Sequence, residues 1–204
     1  MNLTQQTHAL IKPLLILDLN GTLMHRITHS DVWRETKSHP NFRQHDFTVN
    51  SNKCYLRPGV RNFLSEAMRR FTVAVWTSAK YINAIEMVSM TFGDSIEDLN
   101  EQVNDSERRL KFIWAQDACE AVHVGSYKPL FLKNLERVWQ KYPQYNQHNT
   151  VIVDDNPSKI LEAQQSCLEQ IREFRVDDPE VNHTEDNELD SLIKRLKSRF
   201  YFNK

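Results

Sequence analysis

Two hydrophobic patterns alternate along the chain. Short, continuous apolar runs stop abruptly at a polar residue. Between them, apolar residues recur every three or four positions. The first run, Pro13 to Leu17, lies between Lys12 and Asp18. An uninterrupted short run predicts a strand buried on both faces, as in a parallel sheet. Residues 71–77 (FTVAVWT), 110–115 (LKFIWA) and 150–154 (TVIVD) repeat it, and 170–174 (QIREF) is a weaker version. Val60, Phe63, Leu64, Ala67 and Met68 follow helical spacing, and 79–90 predicts a second helix. Pro129 is expected to open a third helix, with Leu130, Phe131, Leu135, Val138 and Trp139 on its apolar face. Pro157 is expected to open a fourth, because Pro suits the first helical position. Leu189, Leu192, Ile193 and Leu196 predict an amphipathic C-terminal helix whose other face carries Lys194, Arg195, Lys197 and Arg199.

The polar stretches read differently. Residues 24–53 predict an irregular excursion with one short helix near 31–37. Residues 99–109 are polar, and 177–190 predict an exposed acidic loop. Asn20-Gly21-Thr22 and Arg57-Pro58-Gly59 read as turns. Strands alternating with helices define an α/β domain with a mainly parallel sheet. The expected organisation is an N-terminal extension at 1–11, the α/β domain at 12–175, and an acidic loop plus helix at 176–204. That last segment would pack on the domain or extend it.

Composition narrows the class. With 204 residues, one domain is expected. Lys+Arg is 26 and Asp+Glu is 27, so no global charge points to nucleic acid, which is not expected as a direct ligand. Only the basic C-terminal helix argues the other way; its bland reading is the solvated face of a docked helix, and its sharper one a site for another protein or an anionic surface. The apolar run at 13–17 is far too short to span a bilayer, and the first residues lack a signal-peptide pattern. Cys54, Cys119 and Cys167 are odd in number and widely spaced, which favours reduced thiols over a disulfide framework. A nuclear or cytoplasmic location fits. His25 and His29 are spaced for a helical metal pair but lack a matching acidic ligand, so surface histidines are the preferred reading.

Candidate chemistry gathers at the predicted strand ends, where ligands bind in such sheets. Asp18 follows LLIL, Thr77-Ser78 follows VAVW, and Asp154-Asp155 follows VIV. Lys128 precedes the Pro129 helix. Carboxylates on neighbouring parallel strands suit a hard cation such as Mg²⁺. A lysine and a hydroxyl beside them suit phosphoryl oxygens, while one carboxylate can attack the phosphorus. Each residue alone would pass as a cap, a turn or a solvated charge; their order makes coincidence unattractive.

These residues carry a family resemblance. The stretches LLILDLNGTLMHR, YLRPGVRNFLSEAMRRFTVAVWTSAKYINA, SYKPLFLKNLERVW and NTVIVDDNPSK cover most of 12–165. The chain resembles the haloacid dehalogenase superfamily, whose first motif is D-x-D-x-T. Within it, the chain resembles the branch of the RNA polymerase II carboxy-terminal-domain phosphatases, of FCP/NLI-interacting-factor type. The resemblance implies a Rossmann-like fold without a large cap, an open site and a Mg²⁺ cofactor. A phosphorylated protein or peptide would be the partner.

It further implies Asp18 as nucleophile, and Thr22, Thr77 and Ser78 as phosphoryl-binding residues. Lys128 would be the charge-balancing lysine, preferred over Lys133 for its Lys-Pro context and its spacing from Asp154. The metal ligands would come from Asp18, the Asn20 carbonyl, Asp155 and Asp154, the last more suited to anchoring the lysine. Asn20 departs from the pattern. The family's Asp at this position protonates the leaving alkoxide and then activates water. Asn can do neither, which should cost on the order of 10²–10⁴ in rate. Two functions follow: an impaired phosphatase, or a related module that only binds protein. A mitochondrial import receptor that resembles this domain serves the second role.

Overall fold

Val, Ile and Leu in an unbroken run give a strand that must be covered on both sides, and the centre of the sheet is built this way. The computed structural model describes residues 11–27, 44–93, 110–123, 125, 129–177 and 185–201. β1 (Leu14–Leu17) is buried at every residue. A small three-stranded antiparallel sheet follows, of β2 (Met24–Ile27), β3 (Phe47–Val49) and β4 (Asn52–Leu56). Next come α1 (Val60–Arg70), β5 (Thr72–Trp76), α2 (Tyr81–Phe92) and β6 (Ile113–Trp114). β7 (Glu120–Val122) and β8 (Leu130–Leu132) form an antiparallel pair, succeeded by α3 (Glu136–Lys141), β9 (Thr150–Asp154), β10 (Leu168–Gln170) and α4 (Glu188–Tyr201).

The main sheet has the order β10-β9-β1-β5-β6, and every neighbouring pair is parallel. Helices cover both faces, giving a Rossmann-like haloacid-dehalogenase architecture. Alternation along β1 divides the core in two. Leu15 and Leu17 join Val73, Val75, Val151 and Val153 beneath α1, α2 and α4. Leu14 and Ile16 join Ala74, Trp76 and Ile152 beneath Leu135 and Val138 of the α3 region. Leu189, Leu192 and Leu196 of α4 are completely or almost completely buried, and each such leucine stabilises by about 1.5–3 kcal/mol.

Several expectations change. The ends of the 24–53 stretch are strands, because Met24, Phe47, Val49 and Cys54 all enter the main core. The short helix expected near 31–37 and the polar 99–109 stretch lie outside the described residues. Residues after Pro129 form β8 before any helix, since pairing with Glu120–Val122 overrides the helical spacing; helix begins only at Glu136. Pro157 opens a 3-10 turn, Pro157–Lys159, and a second 3-10 segment covers Glu162–Cys167. The third predicted strand shrinks to Ile113–Trp114, and the weak strand sits at Leu168–Gln170.

The acidic stretch is not simply exposed. Asp186 is buried and makes two hydrogen bonds of 3.0 Å from Arg57, through Nε and Nη2. The Arg57 Nη1 donates to the Thr22 carbonyl at 3.1 Å. Asp177 is also largely covered, accepting from Arg175 at 2.9 and 3.0 Å. A buried carboxylate needs a partner of this kind, and Arg57 supplies two parallel donors.

Candidate active site

Parallel register brings the first two acidic sites together. Leu17 pairs with Val153, so Asp18 and Asp154 are the next positions on neighbouring strands. The Asp18 N–H donates to Val153 O at 3.0 Å, extending the ladder to the carboxyl end of the sheet. One oxygen from each of Asp18, Asp154 and Asp155 lies within 4.8 Å of the others. That is close to the about 4.2 Å between opposite ligands of an octahedral Mg²⁺ with bonds near 2.1 Å.

Two ammonium groups enter the cluster. Lys133 follows β8 and is wholly buried; its Nζ donates to Asp154 Oδ2 at 2.6 Å and lies 3.2 Å from Asp18 Oδ1. Lys159 ends the Pro157 turn; its Nζ donates to Asp18 Oδ2 at 2.9 Å and Asp154 Oδ1 at 3.1 Å, and lies 3.7 Å from Asp155 Oδ1. Both oxygens of Asp154 are therefore occupied by lysines, and Asn156 N–H adds a third bond at 3.0 Å. Asp18 Oδ1 and Asp155 Oδ1 are buried without a hydrogen bond; Lys133 is at ion-pair distance from the first but not aligned with it. Two carboxylates of one cluster, each with a buried unsatisfied oxygen, fit a hard cation.

The charges act on one another. Burial pushes the Asp18 carboxyl up, but Lys133 and Lys159 more than offset this and hold it below the ordinary range. Asp155 is raised to about 6: burial dominates, Lys159 opposes it, and the Asp18 and Asp154 charges add to it. Burial favours the neutral form of Lys159, yet Asp18, Asp154 and Asp155 together raise it well above its usual value.

The loop after β1 is shaped around this cluster. Gly21 has φ +85°, and a Cβ there would come within 2.7 Å of the Asp155 carboxyl carbon. Gly21→Ala is expected to cost about 1–2 kcal/mol in backbone strain alone, and to displace Asp155. Urea unfolding would measure the loss. Asn20 is exposed, and its Oδ1 accepts from the Arg26 N–H at 2.7 Å. Thr22 is buried with an unpartnered hydroxyl.

Thr77 is buried at the end of β5; its hydroxyl accepts from Ala79 N–H at 3.3 Å, and Ser78 beside it is half-buried. Lys128 lies outside the described residues. The lysine that touches Asp18 and Asp154 from β8 is Lys133, the competing candidate. Lys159 is not among the site residues expected from the sequence, although it closes the NTVIVDDNPSK stretch; a tight turn rather than a helix brings it to the cluster.

A parallel sheet with a buried Asp after its central strand, paired acids after the next, and lysines between them defines a haloacid-dehalogenase-type phosphatase scaffold. More narrowly, the chain belongs to the NLI interacting factor-like phosphatase family, whose model matches residues 13–203. An uncharacterized FCP1 homology domain-containing protein of Schizosaccharomyces pombe is 30% identical, over 91% of this chain and 70% of its own length. A ubiquitin-like domain-containing CTD phosphatase 1 of Xenopus tropicalis is 26% identical over 91% of this chain; the match spans 49% of that protein. The Drosophila melanogaster protein of the same name is 26% identical, with 48% of its length spanned. The chain thus spans about half the length of both ubiquitin-like-domain relatives. The fold is shared with fission yeast RNA polymerase II CTD phosphatase Fcp1, solved as a variant bound to beryllium fluoride. That match has a TM-score of 0.51 at 16% identity, covering 95% of this chain and 52% of that one.

Proposed function

We propose that this chain is a Mg²⁺-dependent phosphatase-type domain that acts on or recognises a phosphorylated macromolecule, in particular a phosphoprotein, with turnover limited by Asn20. The observation that carries this reading is the pair of buried, unsatisfied oxygens on Asp18 and Asp155 at the carboxyl end of a parallel sheet. Relatives named as CTD phosphatases support the substrate class. Among the described residues no helix is long and apolar enough to cross a membrane. The proposed setting is the nucleus or cytoplasm.

Asp18 is the proposed nucleophile. Its carboxylate attacks phosphorus, the ester P–O bond breaks, and an aspartyl-phosphate and an alkoxide result. Lys133 holds Asp154 and faces Asp18, so it can offset negative charge gathering at the attack site. Thr77, Ser78 and Thr22 are proposed to contact phosphoryl oxygens. Asp18, Asp155 and the Asn20 carbonyl would hold the cation, which when bound neutralises phosphoryl charge. The alkoxide needs a proton, and the later attacking water must lose one. An amide at position 20 serves neither step.

The experiment is aryl-phosphate hydrolysis with Mg²⁺ by the parent and by Asp18→Asn. Slow release abolished in the variant supports the nucleophile; equal release in both overturns it. The metal is tested separately by thermal unfolding. Mg²⁺ at about 100 times its dissociation constant should stabilise by about 2.7 kcal/mol. Asp155→Ala should weaken that response and Asn20→Ala should leave it nearly unchanged. No response at millimolar Mg²⁺, in the parent and in Lys159→Met alike, would overturn the metal assignment.

The second reading, a protein-binding module without turnover, is favoured by one feature. The Asn20 side-chain oxygen is already committed to the Arg26 N–H.

A further inference from the structure

Lys159 is not an ordinary surface lysine. Its turn is held from several sides: Asn156 Oδ1 accepts from Ser158 N–H at 3.0 Å, and Gln165 donates to Pro157 O at 3.0 Å and to Ile160 O at 2.9 Å. Its own carbonyl accepts from Lys133 N–H at 2.7 Å, so the backbones of the two site lysines are joined. Its side chain is 14% exposed, and its ammonium approaches all three carboxylates.

An ammonium is a compact point charge with three donors. Here it faces three acceptor oxygens, on Asp18, Asp154 and Asp155, and these carboxylates form the same cluster that would receive a divalent cation. Lys133 does not share this arrangement, because it is paired chiefly with Asp154 and reaches only the other oxygen of Asp18. An ammonium and a divalent cation cannot share the cluster without repulsion. Asp155 Oδ1, 3.7 Å from the Lys159 ammonium, is the oxygen both cations need, and Lys159 also draws on the Asp18 carboxylate through its other oxygen, Oδ2.

We propose that Lys159 is a built-in counter-ion of the carboxylate cluster, which keeps the site assembled and which a divalent cation must displace in order to bind. This rests on the metal reading of the site and goes beyond it by assigning the competitor. Two consequences have opposite signs. Removing the ammonium should destabilise the metal-free protein, because three crowded carboxylates are left with Lys133 alone. It should also tighten divalent-cation binding, because nothing then has to be displaced.

The test compares the parent, Lys159→Met, Lys159→Arg and Asp155→Asn by thermal unfolding over a titration of Mg²⁺, with Mn²⁺ as a second probe. Lys159→Met should melt about 5 °C or more below the parent without metal, a loss of roughly 2 kcal/mol for a chain of this size. It should bind Mg²⁺ at least about tenfold more tightly, so that the deficit shrinks or reverses as Mg²⁺ rises. Lys159→Arg keeps the charge and should keep the parent's weak response. If Lys159→Met does not fold without metal, Lys159→Gln carries the same comparison.

A parent that responds to Mg²⁺ beside a Lys159→Met that responds equally or less would overturn the competition while leaving the metal site standing. A lower melting point with an unchanged metal response would give Lys159 a purely structural role and also overturn it. No response to either metal in the parent or in Lys159→Met would bring down both the metal reading and this inference. Loss of response in Asp155→Asn alone is the result that keeps both.

Discussion

Asn20→Asp is expected to raise aryl-phosphate hydrolysis by about 10²-fold or more, the contribution a positioned general acid–base group makes to such steps. Asn20 Oδ1 accepts from the Arg26 N–H at 2.7 Å, and a carboxylate can accept that bond with one oxygen while presenting the other in place of the amide nitrogen. The fold need not change, and the new oxygen can give a proton to the leaving alkoxide and take one from water. The gain should lie in turnover more than in KM, because the proton moves in the transition state and not on binding. The control is Asp18→Asn added to Asn20→Asp, which should abolish the gain. An unchanged rate with a normal Mg²⁺ response would show that other parts of the site are unsuited to catalysis, and the protein-binding reading would then stand in its place.

What the sequence disclosed follows from how local each signal is. LLIL before Asp18 and VIV before Asp154 are legible because a strand covered on both faces has no polar position to spare, and its end is marked by the first charge. Parallel pairing of two such runs then aligns their acids without further information. KPLFLKNL is ambiguous by the same logic. Pro129 and apolar residues at helical spacing read as a helix start, but Leu130–Leu132 pairs with Glu120–Val122 and the helix is delayed to Glu136. Once β8 is a strand, Lys133 is its end, and its side chain is buried against Asp154. Lys159 was invisible for a different reason. In a helix from Pro157 it would pass for a solvated charge, whereas the 3-10 turn with its Asn156 cap directs it into the cluster.

A relationship distant in sequence carries the largest expected effect on stability. Arg57 and Asp186 are 129 residues apart, and nothing local in an acid-rich stretch tells a solvated Asp from a buried one. Asp186→Ala is expected to cost about 3–5 kcal/mol, because it leaves the buried Arg57 guanidinium without its counter-charge. For a chain of this size that is a fall of roughly 10 °C or more in Tm. The replacement Arg57→Met with Asp186→Leu should recover much of the loss, since a buried pair replaced by apolar groups often costs little.

The pH dependence has a defined sign. Burial raises the Asp186 carboxyl, but the Arg57 hydrogen bonds and charge outweigh it and hold it below its ordinary value. A depressed folded-state value means that the unfolded chain binds the proton more readily. The contribution is therefore complete above the unfolded value, near ~3.9, and is lost as pH falls through the folded one. The parent should lose stability on acidification more steeply than the double replacement, as read by urea unfolding at stepped pH. Because Arg57 Nη1 also holds the Thr22 carbonyl in the loop that follows Asp18, single variants should disturb Mg²⁺ binding as well as the fold. A variant that lost stability with an unaltered Mg²⁺ response would show that the pair anchors the C-terminal segment without shaping the loop at the site.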